Sequence, residues 1–108
     1  MNEKTEYLPL GSLVKINGGK KLYVIISRGL QVKFEGEKLF FDYGACMYPE
    51  GLIGDQVAYF QHEDIQEVVF KGYSDRNDEE MVKAIQDVYE KQKLVKTDVK
   101  QMKVQRKN

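Results

Sequence analysis

Short apolar runs cut by glycine-containing turns fill residues 13–73, and from Asn77 onward the spacing of apolar residues becomes helical. This change of period constrains the fold more than any other feature. Runs of four to eight residues bounded by Gly, Asn and Asp read as β-strands. Leu13-Val14-Lys15-Ile16 is one such run. Asn17-Gly18 then supplies the strongest short-range hairpin signal, since both residues tolerate positive φ. Lys21 to Arg28 is the partner strand, and its centre, Leu22-Tyr23-Val24-Ile25-Ile26, is apolar on both faces, which predicts a central position. Gly29 reads as a turn or bulge. Gln31-Val32-Lys33-Phe34 alternates as a half-buried strand does. Lys38 to Tyr43 follows the Glu35-Gly36 turn, and Leu39, Phe41 and Tyr43 share one face. Residues 44–54 contain Gly44, Pro49, Gly51 and Gly54 and read as a loop. Gln56 to Phe60 and Ile65 to Tyr73 complete the set.

The pattern predicts an α+β fold: a small antiparallel β-meander or barrel of five to six strands, followed by a long C-terminal α-helix. The expected division is a flexible N-terminus over 1–7, a β domain over 8–75, and a helix with a basic tail over 76–108. Asn77 is the expected cap of a helix starting at Asp78, with Glu80 in capping-box position. Met81, Ile85, Val88, Gln92, Val95, Val99 and Met102 are spaced 4, 3, 4, 3, 4, 3, the rhythm of a helical seam. Its second half is narrow and Lys-rich, which suits docking on a partner helix better than burial on its own domain.

A chain of 108 residues buries enough surface to fold without a disulfide or metal. Cys46 is the single cysteine and has no internal partner. The start Met-Asn-Glu-Lys-Thr-Glu shows no export signal, and Leu22–Ile26 is too short to cross a bilayer. A cytoplasmic protein is expected. Net charge is zero, but residues 74–90 carry two basic and six acidic groups while residues 91–108 carry seven basic and one acidic. That order suits a helix dipole, with anions first and cations last. The basic tail therefore reads as a helix end, with neither nucleic acid nor membrane as partner.

The polar candidates have plain explanations. His62, Glu63 and Asp64 are consecutive, so they do not converge on one ion. A turn in which a carboxylate accepts from a backbone amide accounts for them. Cys46 as a nucleophile needs a base, and His62 is the sole histidine. Gly18-Gly19-Lys20 lacks the spacing of a phosphate loop. No catalytic, metal-binding or cofactor-binding residue is expected. Tyr48-Pro49-Glu50-Gly51 is different: Pro fixes the loop, and Tyr offers a rigid amphipathic contact. Tyr48, Pro49, Glu50, Val95, Val99 and Met102 are accordingly the candidate partner-binding residues, and the seam leaves a homo-oligomer through the C-terminal helix possible.

Five segments taken together carry a family resemblance: residues 9–14 (Pro-Leu-Gly-Ser-Leu-Val), residues 18–22 (Gly-Gly-Lys-Lys-Leu), Asp42-Tyr43 through Tyr48-Pro49-Glu50-Gly51, residues 60–65 (Phe-Gln-His-Glu-Asp-Ile), and residues 70–73 (Phe-Lys-Gly-Tyr). In that order they resemble the family called domain of unknown function 4176, over roughly residues 8–90. The resemblance implies a companion of the type VII secretion system of Gram-positive bacteria, associated with toxins that carry an LXG export domain. It implies a chaperone or targeting factor that binds the helical leader of a secreted toxin, or another secretion accessory protein. An immunity or regulatory protein that neutralises a cognate toxin is the alternative. No enzymatic activity is implied.

Overall fold

A computed structural model describes residues 4–97 of the chain. Five strands form one antiparallel sheet: β1 (Leu13–Ile16), β2 (Leu22–Phe34), β3 (Glu37–Tyr48), β4 (Ala58–Phe60) and β5 (Ile65–Phe70). A 3-10 turn at His62–Asp64 precedes β5, and one helix, α1 (Arg76–Lys91), follows it. The strand order is β4-β3-β2-β1-β5. This is the expected α+β architecture.

The body of the sheet is one long hairpin. β2 and β3 pair from Leu22↔Tyr48 to Phe34↔Glu37. Their two-residue turn, Glu35-Gly36, has positive φ at both positions, as the twist of tight hairpins requires. The two breaks expected at Gly29 and Gly44 do not occur. Both glycines lie inside strands because neighbouring side chains occupy the space a Cβ would need. Ile85 of α1 sits over Gly29, which also has φ +63°. Ser27 and Leu30 crowd Gly44. A glycine within a strand marks such close approach as often as it marks a turn.

The sheet coils but does not close. β4 and β5 are opposite edges, yet only residues 61–64 separate them. Five strands lying flat span about 19 Å. A four-residue link containing a helical turn reaches less far than that. The edges must therefore approach each other, although no pairing joins β4 to β5 among the described residues. The barrel alternative is corrected accordingly to an open, curled sheet.

The core gathers inside this curl. Tyr7, Val14, Ile25, Tyr43, Ala45, Phe60 and Ile85 form one buried cluster, with Leu8, Ile16, Tyr23, Ile65 and Val82 packed against it. Helix α1 supplies Ile85 and Val82. Its N-cap is Asp75 rather than Asn77, and the Asp75 carboxylate accepts from the Asp78 amide at 3.0 Å. Arg28 of β2 anchors the same end: it pairs with Asp78 at 2.7 Å and donates to the Leu8 carbonyl at 3.1 Å.

Two boundaries differ from expectation. The described part of the N-terminus is docked rather than loose. Tyr7 is buried, and the Thr5 carbonyl accepts from Gln86 of α1. The helix stops at Lys91 and does not continue through Val95. Lys93 takes φ +51°, which ends a helix. The chain then crosses to β3, where Lys96 bridges to Phe40 in parallel and the Thr97 amide donates to the Phe40 carbonyl at 3.0 Å. The 3–4 spacing of apolar residues continues to Val95, past the end of the helix at Lys91.

Candidate functional site

Two regions hold the distinctive side chains. One is polar and buried. The other is apolar and exposed.

The buried region centres on Asp42, in the middle of β3 and fully buried. A carboxylate so placed must be matched by donors or charge. Here the Tyr7 hydroxyl donates to Oδ1 at 2.9 Å, and the His62 amide donates to Oδ2 at 2.8 Å. Lys96 Nζ lies 2.7 Å from Oδ2. The same ammonium donates to both Glu63 oxygens and to Thr5 Oγ1. Gln61 completes the cluster. Its Oε1 accepts from the Asp42 amide, and its Nε2 donates to the carbonyls of Phe40 and Thr97. No buried side-chain nitrogen or oxygen among the described residues lacks a partner.

The electrostatics follow from this packing. Burial and the neighbouring Asp42 carboxylate push the Tyr7 phenol well above the usual tyrosine range. Burial does the same to Tyr43. Partial burial works against the Lys96 ammonium, but the hydrogen bonds and charges of Asp42 and Glu63 prevail and hold its pKa above the usual lysine value. Partial burial likewise works against ionised Glu63, yet Lys96 holds it below the usual glutamate value. The arrangement ties three segments of the chain together: residues 5–7, the His62–Asp64 turn, and residues 96–97. It is a latch. A cavity of about 460 Å³ lies beside it, lined by Thr5, Tyr7, Glu63, Gln86, Tyr89 and Lys96 among others. Lys96 faces this cavity already engaged.

His62 is hydrogen-bonded to Tyr43, whereas no side-chain hydrogen bond involves Cys46 among the described residues. His62 Nδ1 shares a 2.7 Å hydrogen bond with the Tyr43 hydroxyl, which also accepts from the Leu8 amide. Cys46 is buried in β3 opposite Val24. The Gln61 amide donates to Asp64 Oδ2 at 2.9 Å, so the turn is held by a carboxylate on a backbone donor, as its sequence suggests.

The exposed region surrounds the far end of β3. Tyr48 is the last residue of that strand, and Tyr48-Pro49 is a cis peptide. The loop base is fixed by a bridge between Met47 and Gly51 and by the Lys21–Glu50 ion pair at 2.9 Å. Lys21's hydrogen bond lowers the Glu50 pKa. Tyr48, Leu52 and Ile53 are each about half exposed, at 49%, 54% and 50%. Sequence reading found Tyr48, Pro49 and Glu50 here but missed Leu52 and Ile53. A pair of large aliphatic residues between two glycines was the available signal.

Val95 is 80% exposed, beyond the end of α1 and next to the residue that bridges to Phe40. Phe40 and Tyr48 are eight residues apart on β3, about 25 Å at strand rise. The structure therefore does not bring Val95 and Tyr48 onto one surface. Val99 and Met102 lie outside the described residues.

The sequence model of the family described as Domain of unknown function (DUF4176) matches residues 7–81. The chain belongs to that family. The matched span runs from Tyr7 through all five strands into the first turns of α1, so the family unit includes Asp42, Gln61 and His62 but not Lys96. No curated protein matches the chain, and no solved structure does. No helix among the described residues is long and apolar enough to cross a membrane.

Proposed function

We propose that this protein is a non-enzymatic, cytoplasmic binding module that accompanies a type VII-secreted LXG toxin and holds its helical leader before export. The observation that carries the reading is the exposure of Tyr48, on a turn pinned by Met47–Gly51 and Lys21–Glu50, and of Leu52 and Ile53, which follow that turn in the chain. Large apolar side chains left in water near a fixed turn suit recognition of another apolar surface. A fixed loop also loses little conformational freedom on binding. A helical leader offers a matching apolar stripe. The role in secretion is what the family resemblance implies, and the geometry favours binding within it.

The test is co-purification with an LXG toxin from the same genome, with the leader and the toxic domain expressed separately. The reading expects capture of the leader, lost when Tyr48, Leu52 and Ile53 are changed together to Ser. Capture of the toxic domain alone would favour an immunity protein instead. Undiminished capture by the triple variant would remove the loop from the interface.

A further inference from the structure

Helix α1 stops where its own sequence would let it continue. From Arg76 to Thr97 there is neither glycine nor proline, and Gln92, Lys93 and Leu94 are good helix formers. The stop is made by two hydrogen bonds. The Lys93 amide donates to the Glu90 carbonyl and the Leu94 amide to the Tyr89 carbonyl, each at 3.1 Å. That pair of bonds closes a helix around a left-handed residue, a place usually taken by glycine. Here the residue is Lys93, at φ +51°. A side chain in that conformation is strained, because Cβ crowds the backbone.

The latch offsets this strain. Leu94 is half-buried, Val95 is exposed, and no residue from 92 to 97 is fully buried. Beyond the turn, the hydrogen bonds and ion pairs that hold the chain come from Lys96 and Thr97. Lys96 Nζ engages Asp42, Glu63 and Thr5. The Thr97 amide donates to the Phe40 carbonyl, its Oγ1 accepts from the Phe40 amide, and its carbonyl accepts from Gln61. Local sequence thus favours one conformation of this segment, and distant partners impose another.

The register defines the conformation that local sequence favours. Continued as helix, the chain places Val95 in one stripe with Met81 and Val88 at heptad spacing. Met81 and Val88 are already 52% and 42% exposed. Release of Lys96 leaves Asp42 with two donors, the Tyr7 hydroxyl and the His62 amide. The cavity of about 460 Å³ beside it is roomy and polar enough to admit water in place of the ammonium.

We infer that residues 92–97 form an arm with two positions: docked, with Lys96 on Asp42, or continuing α1 as helix when that contact is broken. The docked position ends the helix and covers the edge of β3 at Phe40. The other opens that edge and aligns Val95 with Met81 and Val88.

Carbon-13 Cα chemical shifts of the full chain test this, recorded in the cold, where helix propagation is most favourable. In wild type the helical shifts end before Lys93. In Lys96→Met they continue through Val95. Adding Lys93→Gly to Lys96→Met removes them again, because glycine restores the stop without the latch. Lys96→Met shifts like those of wild type, or like those of an unstructured arm, would overturn the inference. So would helical shifts that survive Lys93→Gly. Lys93→Gly with the latch intact serves where Lys96→Met does not fold. It relieves the strained residue and raises the folding equilibrium constant about fivefold in urea denaturation, and the absence of any gain would overturn the inference as well. The Tyr48 loop takes no part, so failure here leaves the proposed function standing.

Discussion

The Asp42 latch lies at the middle of β3 and the Tyr48 loop at its end, and the two follow opposite rules. At the latch, β3 buries a carboxylate and surrounds it with Tyr7, His62, Lys96 and Gln61, all hydrogen-bonded. At the loop, the same strand ends in Tyr48 and leaves Leu52 and Ile53 in water. A chain selected only for stability would place these groups the other way round. Buried charge is weak evidence of stabilisation in itself, but removing one partner of a buried pair is costly. The latch therefore holds parts of the chain in place, and the loop remains available for contact. The difference separates what fixes the fold from what the proposed function assigns to recognition.

That separation can be broken most directly at Lys96. Lys96→Met leaves the Asp42 carboxylate buried without its cation, and a loss of about 3–5 kcal/mol is expected from urea denaturation at neutral pH. An unchanged midpoint would mean that the latch bears no weight. Gly29→Val comes next. It forces a branched side chain to positive φ and into Ile85. About 2–3 kcal/mol should be lost through backbone strain and overpacking, with α1 released from β2 in hydrogen exchange.

Tyr7→Phe sharpens the comparison through pH. At neutral pH it costs about 1.5–3 kcal/mol, the value of a hydrogen bond to a charged acceptor. The Tyr7 phenol has a raised pKa in the fold, so its contribution is complete below the unfolded value near 10 and is lost as pH rises beyond it. Tyr43 and Lys96 are shifted in the same direction. Wild type should thus lose stability steeply above pH 10, and its advantage over Tyr7→Phe should narrow there. A constant gap from pH 7 to about pH 11 would place the phenol outside the linkage. The smallest effect belongs to the loop: Tyr48→Ser combined with Leu52→Ser should move stability by under about 0.5 kcal/mol per site. A larger loss in thermal denaturation would mean that these side chains serve the core.

Much of the fold was legible because its signals were local. The strand runs alternate or stay apolar as expected, the Glu35-Gly36 turn is a tight hairpin, and α1 begins where the period changes. What escaped depended on distant neighbours. Gly29 and Gly44 read as breakers because a sequence does not reveal that Ile85, Ser27 and Leu30 fill the space beside them. The spacing of Val95 continued the helical rhythm, whereas Lys93 had already turned the chain toward Phe40. The latch left one clue. Asp42 follows Leu39-Phe40-Phe41 and precedes Tyr43, and an acid amid such residues needs a partner if buried. The partner, Lys96, is more than fifty residues away and looked like one cation among many in a basic tail. Of the candidate contact residues, Tyr48 was legible because proline and tyrosine mark a fixed turn. Leu52 and Ile53 were not singled out, because exposure of an aliphatic side chain is a property of the folded surface.

The central claim is that binding resides in the exposed loop while the latch only holds the fold. Calorimetric titration of an LXG leader into wild type and into the Tyr48→Ser/Leu52→Ser/Ile53→Ser chain tests it most directly. The account predicts a folded variant whose melting temperature falls by no more than about 10 °C and affinity weakened by at least about tenfold, as expected when central apolar contacts are removed. Equal affinity in the two proteins would contradict it.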